Sequence, residues 1–261
     1  MKWFGALSSI LVCLVLQAGP RSQSFIERLS NSDYTQSVDF ILDNEAQLEE
    51  LIAMELERSS SDSLLSELNF LCSEVSNISP EAQKILGEAI LFHSLRLRDT
   101  VNIMEASSNI AGALMNEGNY EEALTYFYRR LEYEQNSQNE IDGIIFNSIG
   151  NTYYMMNDHQ NSVEYLKKYL ELGIARNDSA TICRAYLNIS NPYYDKGEFD
   201  SSMYYLQKSL QIATSIGDFI IQSYALGNLA SMYLEMGDYQ TTLDYQLRGL
   251  AIEEGFNDKI A

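Results

Sequence analysis

The sequence predicts an all-α fold, a solenoid of antiparallel helix hairpins, and an internal repeat carries that prediction. Four segments of the 261-residue chain align so that an apolar anchor recurs at spacings of 39, 40 and 40 residues, at Ile110, Ile149, Ile189 and Leu229. Around each anchor, apolar residues recur at steps of three and four, which is the helical period. A repeat period of about 20 to 50 residues is typical of solenoid architectures.

Matched residues begin and end the first helix of each unit. A residue suited to cap a helix N-terminus recurs at the same offset, at Asp99, Asn139, Asp178, Asp218 and Asp258. Each first helix is predicted to end at a residue that tolerates the left-handed backbone conformation, at Gly118, Asn157, Gly197 or Gly237. The repeat therefore predicts four well-formed hairpins, over residues 99–138, 139–177, 178–217 and 218–257.

A second amphipathic run follows each turn and predicts the second helix of each hairpin. Small residues recur at matched sites of both helices, which lets paired helices approach closely. These sites are Ala111, Gly150, Ser190 and Ala230 in the first helices and Ala123, Ser162, Ser202 and Thr242 in the second. A tyrosine column on the second helices is interpreted as packing within the stack, at Tyr126, Tyr165, Tyr205 and Tyr245.

Pro192 stands inside the predicted first helix of the third unit. Because proline has no N–H, it cannot bond the carbonyl of Asn188 four residues earlier, and its ring crowds that carbonyl. We therefore expect Pro192 to interrupt the helix with a local kink.

The repeat resembles the tetratricopeptide repeat over residues 99–258. The resemblance is carried by a small residue with Leu or Tyr three positions on, as in Ala111 and Leu114, and by a turn of glycine, Asp or Asn, and Tyr. The units are longer than the usual form of about 34 residues and lack its terminal proline, so they are similar to a variety of about 40 residues. The resemblance implies a right-handed superhelical solenoid. The chain also resembles exported bacterial proteins of this family and the tetratricopeptide-repeat sensor regions of membrane histidine kinases and transcription regulators.

Atypical segments flank the four units, as expected at the ends of a solenoid. Residues 62–98 are predicted to form a degenerate repeat without the glycine turn, and residues 25–61 an N-terminal helical cap with one helix over 37–57. Residues 258–261 repeat the start of the unit at Asp218, which predicts the start of a further repeat in a chain that continues. Because a solenoid has no single core, we expect no domain boundary within the array.

The first 24 residues predict a secretory signal peptide, because Lys2 is followed by an apolar stretch and then by small residues. Cleavage before Phe25 and cleavage after Ala18 are both open, and an uncleaved anchor is a third alternative. The predicted location is periplasmic or otherwise extracytoplasmic. No apolar stretch of membrane-spanning length follows, so we predict no membrane segment within residues 25–261. Membrane attachment then requires an uncleaved signal or a chain that continues.

The chain has 17 basic and 37 acidic residues and a formal net charge of −20. This charge argues against nucleic acid as a partner, because phosphates are bound by Lys and Arg. An anionic surface favours basic peptides and raises their encounter rate, although a solvated exterior that keeps the protein soluble explains the same charge.

No motif of the sequence carries catalysis. It contains no glycine-rich phosphate loop, HExxH sequence, close cysteine pair or nucleophile elbow. His93 and His159 are interpreted as packing residues, the latter because other units carry an aromatic ring at its position. Cys72 and Cys183 have apolar flanks and lie too far apart in the array for a disulfide, which favours buried thiols. We therefore predict a protein that is not an enzyme and has no cofactor or metal.

Binding is the function that the repeat favours, since stacked hairpins present their first helices along a concave surface. Amide side chains recur there, and in similar long-repeat proteins such asparagines hold the main chain of an extended peptide. The alternative is that the amides bond to neighbouring helices and order the stack. The candidate peptide-binding residues are Asn109, Asn147, Asn151, Tyr154, Arg184, Asn188, Asn191, Tyr194 and Asn228.

Two functions fit these observations. The first is an exported, non-catalytic scaffold that binds a protein or peptide. The second is the extracytoplasmic input region of a longer membrane-bound signalling protein, a histidine kinase or transcription regulator. The second requires a membrane helix after Ala261, whereas the first requires nothing beyond the residues present.

Overall fold

The computed structural model describes residues 34–57, 61–136 and 141–260, and α-helices form nearly all of these ranges, with no strand among them. Their helices, in chain order, are α1 (Tyr34–Asp43), α2 (Leu48–Leu56), α3 (Ser61–Glu74), α4 (Pro80–Leu97), α5 (Thr100–Asn116), α6 (Tyr120–Asn136), α7 (Ile144–Met155), α8 (His159–Ala175), α9 (Ser179–Asp195), α10 (Phe199–Ile216), α11 (Phe219–Glu235) and α12 (Tyr239–Ile260). The predicted signal peptide over residues 1–24 and the predicted cap Asn139 lie outside the described residues.

The chain folds as two compact units, one ending at Glu140 and the other beginning at Ile141. This division differs from the expected array without a boundary. It falls in the polar sequence QNSQNEIDG, residues 135–143, in which Ile141 is the one large apolar residue. A segment of this composition has no apolar stripe that could continue helix packing from one hairpin to the next.

In the first unit, α4 contacts α1, α2, α3 and α5, and α5 pairs with α6. Aliphatic side chains shared among these helices form its core, with Ile41, Leu48, Ile52, Leu65, Leu68, Leu86, Ile90, Ile103, Ile110 and Leu114 fully buried. The segment predicted as a degenerate repeat holds α3 and α4, joined through a 3-10 turn at Val75–Asn77. Ser79 caps α4, because its hydroxyl accepts a hydrogen bond from the Ala82 N–H at 3.1 Å.

The single helix predicted over residues 37–57 is wrong, because two helices occupy that segment. α1 ends at Asp43, and α2 begins at Leu48 after a short 3-10 turn. The Asn44 side-chain amide donates a hydrogen bond to the Phe40 carbonyl at 2.8 Å. Asn and Asp side chains compete in this way with the backbone for hydrogen bonds, which explains the break that apolar spacing alone did not show.

In the second unit, six helices form three antiparallel hairpins, α7 with α8, α9 with α10 and α11 with α12. Successive hairpins meet where α8 contacts α9 and where α10 contacts α11. The last two hairpins share a buried core of Cys183, Leu187, Leu206, Ala213, Ile221, Ala225, Leu229 and Met232. Burial raises the pKa of the Cys183 thiol, and both Cys183 and Cys72 are free and buried, as predicted.

Tyrosine rings pack against each other within each hairpin of the second unit. The ring pairs Tyr153–Tyr165, Tyr193–Tyr205 and Tyr233–Tyr245 stack with centroids 5.8, 5.4 and 5.5 Å apart and interplanar angles of 22°, 17° and 17°. The packing role predicted for this part of the tyrosine column is therefore confirmed. Offset stacking of this kind adds about 0.5–1.5 kcal/mol per pair to the contribution of buried area.

Three predicted N-caps are confirmed. The carboxylates of Asp99, Asp178 and Asp218 each accept a hydrogen bond from a backbone N–H in the first turn of the following helix, at 3.0 to 3.2 Å. The predicted turn residues also have left-handed backbone conformations, with φ of 78° at Gly118, 59° at Asn157, 74° at Gly197 and 78° at Gly237.

The first helix of the second unit does not begin where a cap at Asn139 would place it. α7 begins at Ile144 behind Gly143, whose N-cap position carries no side-chain hydrogen bond. A cap at Asp258 is wrong, because this residue lies inside α12. α12 continues past it to Ile260.

Pro192 lies inside a first helix, as predicted, and its side chain is buried. Pro192 does not end the helix, as predicted, because α9 continues to Asp195. The Pro192 carbonyl accepts a hydrogen bond from the Lys196 N–H at 3.3 Å, so the helical pattern extends past the ring. Because proline has no N–H, α9 lacks one backbone hydrogen bond at this position. Pro192 lies close to the end of α9, so little of the helix follows the missing bond.

We expect Asp178→Ala to destabilise the protein by about 1 kcal/mol at neutral pH, because α9 loses its N-cap. Hydrogen bonds from the Thr181 hydroxyl and backbone N–H hold the pKa of Asp178 below its usual value. The stability that the carboxylate contributes is therefore present above the unfolded pKa of about 3.9 and lost as the pH falls through the lower folded value.

Urea unfolding between pH 7 and pH 2 measures this effect. The stability difference between Asp178→Ala and the parent chain should narrow at acid pH. The matched control is Ser79→Ala, which removes a cap that does not titrate and should cost the same throughout. A cost of Asp178→Ala that is constant with pH would contradict the prediction.

Candidate functional site

The three first helices of the second unit lie beside one another, since α9 contacts both α7 and α11. Asparagine side chains join these neighbours. Asn188 Nδ2 donates to Asn147 Oδ1 at 2.7 Å, and Asn228 Nδ2 donates to Asn191 Oδ1 at 3.4 Å. The four side chains are half-buried, so each pair orders the stack and keeps hydrogen-bonding atoms at the surface.

An equivalent amide contact exists within the first unit. Asn109 Nδ2 donates to both the carbonyl oxygen and the side-chain oxygen of Asn69 at 3.2 Å. Asn69 in turn donates to Asn102 Oδ1 at 2.9 Å, and Asn102 Nδ2 donates to the Asp99 carboxylate at 2.6 Å. Asn109 is thus held in a structural network. Sequence reasoning missed Asn69, although it stands one repeat length, 40 residues, before Asn109.

Four of the nine predicted residues line one cavity of about 250 Å³ in the second unit, bounded by α7, α9, α10 and α11. The lining residues are Tyr154, Ser190, Asn191, Tyr194, Asp195, Ser202, Leu206, Asn228, Ser231 and Met232. The structure does not bring Asn109, Asn147, Asn151, Arg184 or Asn188 to this cavity. Leu206 and Met232 are buried and give it an apolar floor.

Each cavity tyrosine is bound to a carboxylate of the next repeat. The Tyr154 hydroxyl donates to Asp195, and the Tyr194 hydroxyl donates to Glu235. Burial, followed by the bond to Asp195, raises the pKa of Tyr154 to about 12. The bond to Glu235, followed by burial, raises the pKa of Tyr194 to about 12. Both phenols therefore remain protonated donors at neutral pH.

The rings of these tyrosines are held by the helix that follows each of them. Tyr154 packs against His159 with ring centroids 6.1 Å apart, and Tyr194 packs against Phe199 at 5.7 Å. His159 thus replaces an aromatic packing ring, as predicted. Sequence analysis did not single out Asp195 or Glu235. Both acids stand at the same position of successive repeats, one residue after the position that Tyr194 occupies, and this match was a usable signal.

The cavity combines an apolar floor with polar walls. The Ser202 hydroxyl is buried and has the Met232 sulfur at 3.6 Å as its partner, which is a weak acceptor. Amides, hydroxyls and one carboxylate converge from several helices above this floor. Ligand pockets have this composition, and a volume below about 300 Å³ suits a single side chain better than a drug-sized ligand.

Two structural features are absent from the residues that the structure describes. Among them, no group of three His, Cys, Asp or Glu side chains is placed to hold a metal ion. No helix in the same ranges combines the length and apolar character that crossing a membrane requires.

Residues 102–174 match the family model described as tetratricopeptide repeat. These residues therefore carry tetratricopeptide repeats, and the predicted fold class, an all-α solenoid of antiparallel helix hairpins, is confirmed. No curated protein sequence matches the chain.

Several solved structures share this fold. BtubC (BKLC) from P. vanneervenii is 18% identical, with a TM-score of 0.66 over 87% of this chain and 93% of the other. A putative kinesin light chain with nearly identical TPR-like repeats from Podosopora anserina is 15% identical, with a TM-score of 0.61 over 76% and 99%. The Rap conjugation gene regulator of the plasmid pLS20, in complex with the Phr* peptide, is 15% identical, with a TM-score of 0.58 over 81% and 63%. At these identities the likeness shows the fold alone.

We expect Glu235→Gln to lower the pKa of Tyr194 towards its usual value of about 10, because the phenol then donates to a neutral amide. Titration of the tyrosine Cζ resonances by ¹³C NMR measures this change, with Tyr194→Phe to assign the signal. Tyr154 is the control in the same sample and should keep its raised pKa.

The raised pKa values of Tyr154 and Tyr194 make the stability of the folded protein depend on pH. Both folded-state pKa values lie above the unfolded value of about 10. The stability that the two bonds contribute is therefore complete below pH 10 and lost as the pH rises through about 12. An unchanged Tyr194 pKa in Glu235→Gln would show that burial alone sets it.

Proposed function

We propose that the chain is a non-catalytic, peptide-binding scaffold whose second unit holds an extended peptide along α7, α9 and α11. The observation that carries this proposal is the cavity, to which each of these three successive helices contributes a predicted binding residue. Tyr154 comes from α7, Asn191 and Tyr194 from α9, and Asn228 from α11. A side chain that enters the cavity contacts residues of three repeats, and an extended peptide along the first helices would place one there.

The asparagine pair beside the cavity suits a peptide main chain. Asn191 uses its side-chain oxygen to accept from Asn228, which leaves the Asn191 NH₂ group able to donate and the Asn228 oxygen able to accept. A peptide group offers one acceptor and one donor, so it complements this pair. The Rap regulator, which shares the fold, was solved in complex with a peptide and supports the same kind of ligand here.

Selection from a random peptide library on the immobilised full chain tests the proposal. We expect enriched peptides that bind the parent chain and lose about fivefold in affinity for Asn228→Ala, because a net hydrogen bond contributes about 1 kcal/mol. Fluorescence anisotropy with the labelled peptides measures the affinities.

The matched control is Asn109→Ala. It removes the same side chain at the same repeat position and breaks an equivalent inter-repeat bond, but it lies in the first unit, away from the cavity. Thermal melts of both variants establish that they fold. No enrichment on the folded parent chain, or an equal loss of affinity in both variants, would overturn the proposal.

We propose export as the setting of this function, on the basis of the signal-like composition of residues 1–24. A fusion of residues 1–24 to an alkaline phosphatase that is active only outside the cytoplasm tests it. The parent fusion should be active, and Leu14→Arg, which places a charge in the apolar stretch, should abolish activity. A polar control, Gln17→Ser, should remain active, and an inactive parent fusion would contradict export.

The alternative function, the input region of a longer membrane-bound signalling protein, stays a prediction. It uses the same peptide site and differs from the free scaffold in the chain beyond Ala261. Coding sequence past that residue separates the two functions, since a stretch of about 20 apolar residues would favour the sensor.

A further inference from the structure

The cavity carries negative charge that no basic side chain of the described residues neutralises. Asp195 lines the cavity, and Glu235 holds the hydroxyl of its Tyr194. Neither carboxylate forms an ion pair within those ranges, and each accepts from a phenol instead. Lys196, the basic residue next in sequence, pairs with Glu198 and lies over the Tyr193 ring.

Helix stability does not explain these two carboxylates. Asp195 is the last residue of α9, and Glu235 is the last residue of α11. The C-terminal end of a helix carries partial negative charge, so an acidic side chain there costs stability and a basic one would be favourable. Two successive repeats therefore place an acid at an unfavourable position beside the same cavity.

Some tyrosines of the second unit carry a basic side chain over the ring. Lys168 lies 4.2 Å from the centroid of Tyr165, Lys208 lies 5.7 Å from that of Tyr204, and Arg248 lies 5.2 Å from that of Tyr245. No Lys or Arg among the described residues takes such a position over Tyr154 or Tyr194. A carboxylate without a basic partner and two tyrosine rings without a cation thus line one cavity, and a cation complements both.

We propose that this cavity receives an arginine side chain of the bound peptide, with the guanidinium bonded to Asp195 and packed against the rings of Tyr154 and Tyr194. This inference rests on the proposed function and names the side chain that the site recognises. The cavity of about 250 Å³ admits one long side chain, whose methylene groups contact Leu206 and Met232.

Arginine suits the site better than lysine for two reasons. Its planar group stacks on aromatic rings and is less strongly hydrated than an ammonium, so it loses less on entering a cavity. Its five N–H donors also match the several acceptors of the lining, which include the Asp195 carboxylate, the Asn228 side-chain oxygen and the Ser190 and Ser231 hydroxyls.

The test uses the full chain and the peptides enriched on it. We expect these peptides to share one arginine, and we expect its replacement by citrulline, a neutral analogue of the same shape, to weaken binding at least tenfold. Replacement by lysine should weaken binding by a smaller factor. Asp195→Asn should lose as much affinity for the arginine peptide as citrulline does on the parent chain, and should bind both peptides equally.

Glu198→Gln is the matched control, since it neutralises a nearby acid that pairs with Lys196 and does not line the cavity. It should leave both affinities unchanged, and thermal melts of both variants establish that they fold.

Peptides that bind without a shared arginine, or whose citrulline analogues bind equally well, would overturn this inference and leave the peptide-binding proposal intact. Equal binding of the lysine analogue would overturn the preference for a guanidinium. The absence of any enriched peptide would overturn both proposals.

Discussion

Close approach of the two helices within each hairpin is the constraint on which the other contacts of the second unit depend. A Cβ atom at Gly150 would lie 2.7 Å from the Leu166 Cγ atom, so this position of α7 accepts no larger side chain without movement of α8. Buried small residues stand at the same site in the next two hairpins, Ser190 and Ala230. This shared geometry explains why three tyrosine stacks repeat with centroid separations between 5.4 and 5.8 Å.

Repetition made most of the fold predictable from the sequence. One aligned pattern located the caps Asp99, Asp178 and Asp218 and the left-handed turn residues, because these depend on local chemistry that each unit restates. The pattern failed where local preference and context disagree. Asp258 has the residue type of a cap but lies inside α12, and Asn44 breaks a helix whose apolar spacing is continuous.

The site was less predictable than the fold. The repeat placed Tyr154, Asn191, Tyr194 and Asn228 on first helices, and the structure brings these four together. The sequence could not show that each tyrosine bonds to an acid of the next repeat. Tyr194 and Glu235 are 41 residues apart in the chain, and only the packing of successive repeats brings them into contact. Asn147 and Asn188 were likewise predicted as ligand contacts, yet they bond to each other across the repeat boundary.

The amide pairs also have a direction. In each of the three pairs the later residue is the donor and the earlier one the acceptor: Asn109 to Asn69, Asn188 to Asn147 and Asn228 to Asn191. In the second unit, where two such pairs follow one another, reversing the chain direction would therefore exchange donors and acceptors. A peptide main chain has its own N-to-C polarity, so its two possible orientations meet different sequences of donors and acceptors. For the peptide-binding function proposed above, we expect such a surface to distinguish a peptide from its reversed sequence even where the side chains are the same.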